Sequence, residues 1–193
     1  MNKKNIIAGV DEAGRGAWAG PLVAAAVILK NFSRRQELRD SKKLTDKQRR
    51  CLYKDIKKEC VYSIGRATTK EIFKLGLQAA NILAAQRALD GLTTKPDKVC
   101  LDMIRGFHYH IPFELIIDGD DKEACIQAAS IVAKVTRDNA LIRLSKRFPA
   151  YLWEENKGYG TAAHRQALLR HGISQQHRIK YKPIREILDS NQR

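Results

Sequence analysis

Three short apolar runs in this chain end directly in carboxylates. Asn5–Val10 runs into Asp11 and Glu12, Val99-Cys100-Leu101 into Asp102, and Phe113–Ile117 into Asp118, Asp120 and Asp121. Runs of this length, rich in Val, Ile and Leu, read as buried strands. Segments with helical spacing lie between them, and that alternation points the chain toward an α/β architecture.

The longest apolar run, Leu22–Leu29, follows Gly20-Pro21 and is too short to cross a bilayer. A Gly-rich connection joins it to the first strand, so the two are expected to be antiparallel neighbours. Val61–Ala67 is a further strand. Thr45-Asp46-Lys47-Gln48 is a capping box that opens a basic helix reaching about Glu59. Thr68-Thr69-Lys70-Glu71 is a second, opening a helix with Ile72, Leu75, Ala79, Ile82 and Leu83 at helical spacing and ending near Gly91. A long helix should run from about Lys122 to Phe148, stopped by Pro149, with shorter helices near Ala162–Arg170 and Pro183–Leu188. The expected fold is a mixed central sheet flanked by helices, with a helical C-terminal cap. A length of 193 residues suits one domain, 1–193, in which residues 151–193 form a helical segment.

Charge narrows the partners. Lys plus Arg total 36 against 21 Asp plus Glu, a net +15. Such an excess expects a polyanion, nucleic acid before an anionic membrane surface. The excess is concentrated: residues 34–59 hold 11 basic and 5 acidic residues, and residues 134–193 hold 13 and 5. These stretches are candidate walls of a nucleic-acid groove. The N-terminus does not read as a signal peptide, because Asp11 and Glu12 cut the apolar stretch off at once. Cys51, Cys60, Cys100 and Cys125 are widely spaced without a C-x-x-C, which argues against zinc and for reduced thiols in a cytoplasmic protein.

Acids that end neighbouring strands converge, and hard ions such as Mg²⁺ and Mn²⁺ prefer oxygen ligands. Two such ions, roughly 3.5–4 Å apart, can drive phosphodiester hydrolysis. In a basic chain the positive surface would hold phosphates while the acids hold the metal. For Asp121, ahead of the long helix, capping a helix or starting a turn is the better reading. Adjacent strand residues point to opposite faces. Asp11 and Glu12 therefore reach one ion only if the strand ends at Asp11 and the chain bends, or if Glu12 contributes its backbone oxygen.

Gly14-Arg15-Gly16 is neither a dinucleotide fingerprint nor a P-loop, since Pro21 leads into a strand and no Gly-Lys-Ser/Thr follows. Alone it reads equally well as a tight turn. Beside the acids it offers glycines for close approach to a sugar-phosphate chain and a guanidinium fork in Arg15. Ser130, Lys134 and Asp138 share one face of the long helix, most simply as a Lys134–Asp138 ion pair. Tyr159, in the loop Asn156–Gly160, is either a stacking platform or a partly buried loop tyrosine.

Gly9-Val10-Asp11-Glu12-Ala13-Gly14-Arg15-Gly16 resembles the signature of the ribonuclease HII family, the type 2 ribonucleases H. The resemblance continues through Ala19-Gly20-Pro21, Asp40-Ser41-Lys42-Lys43-Leu44, Ala128–Asp138, Gly158-Tyr159 and His177-Arg178, in order across nearly the whole chain. It implies an RNase H-like fold, with residues 1–150 as the core. It also implies Mg²⁺- or Mn²⁺-dependent endonuclease action on RNA–DNA hybrids and at single ribonucleotides in duplex DNA, by two-metal hydrolysis leaving 3′-hydroxyl and 5′-phosphate ends. The resemblance maps the family's metal-holding catalytic acids to Asp11, Glu12, Asp102 and Asp120. It assigns 2′-OH reading to Gly14, Arg15 and Gly16, sugar contact to Tyr159 and phosphate contact to Lys42 and Lys43. The chain departs from the family pattern at Met103, where Gly is usual, and at Asp118, where Lys is usual. A monomer is expected. The rivals are a metal-dependent nuclease or phosphatase without the hybrid requirement, and a basic nucleic-acid-binding protein without activity.

Overall fold

The computed structural model describes residues 5–38 and 44–190. Its sheet has five strands in the order β3-β2-β1-β4-β5: β1 (Ile7–Ala13), β2 (Leu22–Ile28), β3 (Val61–Ala67), β4 (Lys98–Asp102) and β5 (Phe113–Ile116). β1 pairs antiparallel with β2 and parallel with β4, so the sheet is mixed as expected. β2 is buried along its whole length and takes the centre of the antiparallel half.

Helices cover both faces. α1 (Asp46–Glu59) and α5 (Ala124–Ser145) lie on one, and α3 (Leu77–Asp90) on the other. The capping boxes at Thr45 and Thr68 both form, and each threonine side chain accepts from the backbone of the Gln48 or Glu71 three residues on. The single helix expected from Thr68 to Gly91 is two: α2 (Thr69–Leu75) and α3, separated at Gly76 with φ 82 and ψ 163. The long helix also starts later. A short α4 (Gly119–Lys122) stops at Glu123, whose φ of −112 and ψ of 118 are extended, before α5 begins. Asp121 lies within α4, where its N–H closes a turn onto the Asp118 carbonyl at 3.0 Å, and the N-cap of α5 is Glu123 without a side-chain bond, so of the two roles open to Asp121 the turn is seen and the cap of the long helix is not.

The C-terminal segment folds as a 3₁₀ turn (Pro149–Tyr151) followed by α6 (Trp153–Asn156), α7 (Ala162–His171) and α8 (Lys182–Ser190). It closes its own apolar cluster around Leu141, Tyr151, Trp153, Leu168, Ile184 and Ile187. No described helix is long and apolar enough to cross a membrane.

One close approach sets the height of α5 above the sheet. Gly9 in β1 lies against the Cys125 and Ile126 backbone, and a Cβ there would collide with the Cys125 carbonyl group. Gly9→Ala should therefore cost about 1–3 kcal/mol of unfolding free energy in urea. Gly16→Ala, with nothing within 4 Å of the added methyl, should stay within about 0.5 kcal/mol of wild type. Equal stability of the two variants would show that β1 and α5 separate without cost.

Candidate active site

Parallel pairing builds the acidic centre. Val10 pairs with Leu101 across β1 and β4, and the next residue on each strand is Asp11 and Asp102. In a parallel pair these neighbours share a face. That face is the α5 side, where the Ser130 hydroxyl bonds the Asp11 carboxylate. Asp11 is 6% exposed. Burial, the neighbouring Glu12 charge and Asp102 push its pKa well above the usual carboxylate range, against the pull of its bonds to Ser130 and the Glu12 amide.

β1 continues regularly to Ala13, held by β2 as far as the Ala13–Val23 pair. Of the two routes by which Glu12 could share an ion with Asp11, the bend is therefore absent, because the antiparallel partner keeps the strand extended past both acids. Glu12 turns to the α3 side. Its Oε1 accepts from Asn81 Nδ2 at 3.1 Å and from Arg15 at 3.3 Å. Its Oε2 is buried with no hydrogen-bond partner. Glu12 is not isolated from the other acids. Burial raises its pKa first, Arg15 and Asn81 draw it down, and the charge of Asp102 raises it again.

Asp120, the remaining acid of the expected set, follows a turn docked on β4. Asp102 Oδ1 accepts from the amides of Met103 at 2.9 Å and Gly119 at 3.2 Å. The second bond docks the start of α4, and hence the backbone beside Asp120, onto the end of β4. Asp118 is exposed and left-handed, with φ 53 and ψ 44. Met103 is exposed at 37%, so neither departure from the family pattern is buried. Among the described residues, no three carboxylate, imidazole or thiol side chains form a ready-made metal cage. The chemistry of the donor set still fits a hard divalent ion: buried carboxylates of raised pKa, and one buried oxygen without a partner.

The glycine loop opens from the same strand end. Gly14 has φ 96, and a Cβ there would strike the Arg137 guanidinium. Arg137, on α5, donates to the carbonyls of Pro21, Lys157 and Ala19. Arg178 donates to those of Gly14 at 2.7 Å, Arg15 at 3.1 Å and Gly20 at 3.0 Å. Tyr181 adds a bond to the Arg15 carbonyl at 2.6 Å. With its carbonyls held from below, the loop stays fixed while Arg15 and Gly16 remain exposed.

A cleft of about 240 Å³ gathers Glu12, Gly14, Arg49, Ser130, Lys134 and Tyr159. Both basic stretches of the sequence contribute, Arg49 from α1 and Lys134 from α5. Lys134 also makes the plain ion pair with Asp138, at 3.0 Å. Other cations of the first stretch are tied down, Arg34 to Glu37 and Asp55 and Arg50 to Asp46. The Tyr159 ring is 36% exposed, with Lys134 Nζ 5.5 Å and Arg137 Cζ 5.1 Å from its centroid. Lys42 and Lys43 lie outside the described residues, as do Asp40 and Ser41.

Several contributors escape sequence reasoning. Asn81 is wholly buried in an alanine-rich helix, and its signal is an amide on an otherwise apolar face. Arg137 and Arg178 stand in the motif blocks, but nothing in their spacing says that they are buried or hold the loop.

Comparison with known proteins decides what such a centre belongs to. The family model described as Ribonuclease HII matches residues 8–184. The chain belongs to the ribonuclease HII family. It is 45% identical to ribonuclease HII of Pelagibacter ubique over 95% of this chain and 99% of that one. It is 44% identical to that of Shewanella amazonensis over 96% and 90%. The crystal structure of ribonuclease H2 from Pyrococcus horikoshii OT3 superimposes with a TM-score of 0.82 at 27% identity, covering 97% of this chain and 99% of that one. Membership makes the chain a metal-dependent hydrolase, an endonuclease of RNA in RNA–DNA hybrids on an RNase H-like fold.

The raised Asp11 pKa fixes the sign of a pH effect in this chain. Folding favours the protonated carboxyl, so this contribution is fully present below the unfolded value of about 3.9 and is lost as pH rises toward the folded one. Asp11→Asn should therefore raise the melting temperature of the metal-free protein at pH 7, by about 2–4 °C per kcal/mol relieved. The difference should shrink toward pH 4. A lower melting temperature for the variant at pH 7 would contradict the assignment.

Proposed function

We propose that this protein incises duplex DNA at embedded ribonucleotides as well as cutting longer RNA–DNA hybrids, leaving 3′-hydroxyl and 5′-phosphate ends. The observation that carries this is the shared cleft: an acid of the centre, the glycine loop, two cations and an exposed tyrosine line one space. Asp11, Glu12, Asp102 and Asp120 would hold a pair of divalent cations, Mg²⁺ or Mn²⁺. When bound, such cations supply charge to activate water and to stabilise the departing 3′ oxygen.

The chain's own groups do the rest. Arg15 and Gly16 present exposed backbone at the loop tip, where peptide groups can meet a 2′-hydroxyl, the group that separates RNA from DNA. The loop cannot retreat from a deoxyribose to make a compensating contact, because Arg137 and Arg178 hold its neighbouring carbonyls. Tyr159 offers a ring face to the adjoining sugar, and Arg49 and Lys134 offer charge to phosphates. Lys42 and Lys43 would extend this grip along the strand. Ser130 donates to Asp11 and favours its ionised form once the ion's charge offsets burial. Asp118 adds a negative charge beside the fourth acid, and Asp118→Lys should alter the relative response to Mg²⁺ and Mn²⁺.

The test is cleavage of a DNA duplex carrying one ribonucleotide, beside the same duplex in all-DNA form, with Mg²⁺, Mn²⁺ or chelator. Cutting is expected only at the ribonucleotide and only with metal. Asp11→Asn should lose at least ~10³-fold in rate, about 4 kcal/mol of barrier, with duplex binding retained. Equal cutting of the all-DNA duplex would replace this reading with an unselective nuclease.

A further inference from the structure

Beneath Tyr159, in the C-terminal cap, two histidines stand outside the chemistry assigned above. His164 and His177 are both buried, and their Nε2 atoms are 3.1 Å apart. Each ring's proton can be placed from its partners. The Ser174 backbone N–H donates to His177 Nδ1 at 2.9 Å, so that nitrogen is an acceptor and the His177 proton sits on Nε2. The Trp153 indole, which can only donate, points at His164 Nε2 at 3.2 Å. His164 Nε2 is therefore also an acceptor, shared between Trp153 and His177, and its proton sits on Nδ1. That proton meets the backbone carbonyl of Tyr159 at 2.9 Å.

We propose that the chain Ser174–His177–His164–Tyr159 is a directional relay of neutral imidazoles that positions the Tyr159 ring in the cleft. A third proton has no place in it, because each acceptor nitrogen already faces an N–H. The groups packed around the pair are aromatic rather than carboxylate: Tyr151, Trp153 and Trp18. Burial and the neighbouring His164 hold the His177 pKa down at about 4, and burial lowers that of His164. The relay thus stays in one hydrogen-bonding state at neutral pH. Its end point matters because the residues flanking Tyr159 are pinned too. Gly158 accepts from the Trp18 amide at 2.8 Å, and the Tyr159 carbonyl accepts a second bond from Thr161 at 2.9 Å. With backbone fixed on both sides, the ring's position over Lys134 and Arg137 follows from the carbonyl that His164 grips. His164 and His177 are positioning residues, acting on the substrate through Tyr159.

The inference rests on Tyr159 contacting the sugar, and the experiment separates the two. ¹⁵N-detected histidine spectra of the wild-type protein should show His164 protonated on Nδ1 and His177 on Nε2 at neutral pH. His164→Phe keeps the ring volume and removes the donor. It should lower kcat on the single-ribonucleotide duplex by roughly tenfold to a hundredfold, with KM and hybrid affinity nearly unchanged. His164→Asn, whose amide can replace the Nδ1 donor, should recover most of that loss. In a Tyr159→Ala background, His164→Phe should cost nothing further. The opposite tautomers, or wild-type cleavage by His164→Phe alongside an impaired Tyr159→Ala, would overturn the relay alone. Wild-type cleavage by Tyr159→Ala would overturn the sugar contact and, with it, the relay's effect on rate.

Discussion

Two buried guanidiniums tie this structure together. Arg137 and Arg178 are 0% and 2% exposed, and neither forms a salt bridge with a carboxylate among the described residues. Each directs its donors at loop carbonyls instead, those of Ala19, Pro21 and Lys157, from two segments, for Arg137 and those of Gly14, Arg15 and Gly20 for Arg178. Burying a charge is costly unless its donors are satisfied, and carbonyl dipoles are what the loops have to offer. The cost appears as depressed pKa values, about 10 for Arg137, which still leaves it charged at neutral pH. In return, the glycine loop, the Tyr159 loop and the start of β2 are held against one helix and one cap. Neither guanidinium touches the cleft's opening, yet the loop that would read the substrate has no other carbonyl anchors of comparable number.

α5 serves as both core and scaffold. One side fills the sheet with Ala128, Ala129, Val132 and Ala133, and small residues there allow the approach that Gly9 also permits. Along the same helix, Ser130 bonds Asp11, Lys134 enters the cleft and Arg137 supports Gly14. A shift of this helix would therefore move acid, cation and loop together. Precision of this kind comes from rigid elements rather than from loops themselves. The C-terminal cap contributes from the other side, sending Arg178 to the loop and His164 to the Tyr159 carbonyl.

The acids gain their character from placement, not from type. Side-chain alternation sends Asp11 to the α5 side and Glu12 to the α3 side, yet both feel Asp102 across the end of β4. The Glu12 oxygen without a partner and the raised Asp11 pKa mark neighbouring carboxylates that are buried and repel one another. The surrounding net charge of +15 does not neutralise this centre locally. Arg15 is the cation that bonds Glu12, and it is largely exposed.

Much was determined by the sequence alone. Apolar runs, two capping boxes and the breaks at Gly20-Pro21 specified strands, helix starts and the mixed sheet, because these depend on neighbours close in the chain. The motif blocks specified the family. Other features needed the tertiary structure. Pairing with β2 carried β1 through Asp11 and Glu12, so that of the two routes open to Glu12 the bend was excluded by long-range hydrogen bonds. A left-handed Gly76 and an extended Glu123 divided helices that periodicity joined. The burial of Arg137, Arg178, His164 and His177 could not be read from residue type, since these side chains are more often exposed. The opening acids show the division most clearly. Sequence identified Asp11, Glu12 and Asp102 as strand-end carboxylates. Only the β1–β4 register, a contact between residues 91 positions apart, decided that Asp11 and Asp102 stand side by side on one face while Glu12 turns to Asn81 on the other.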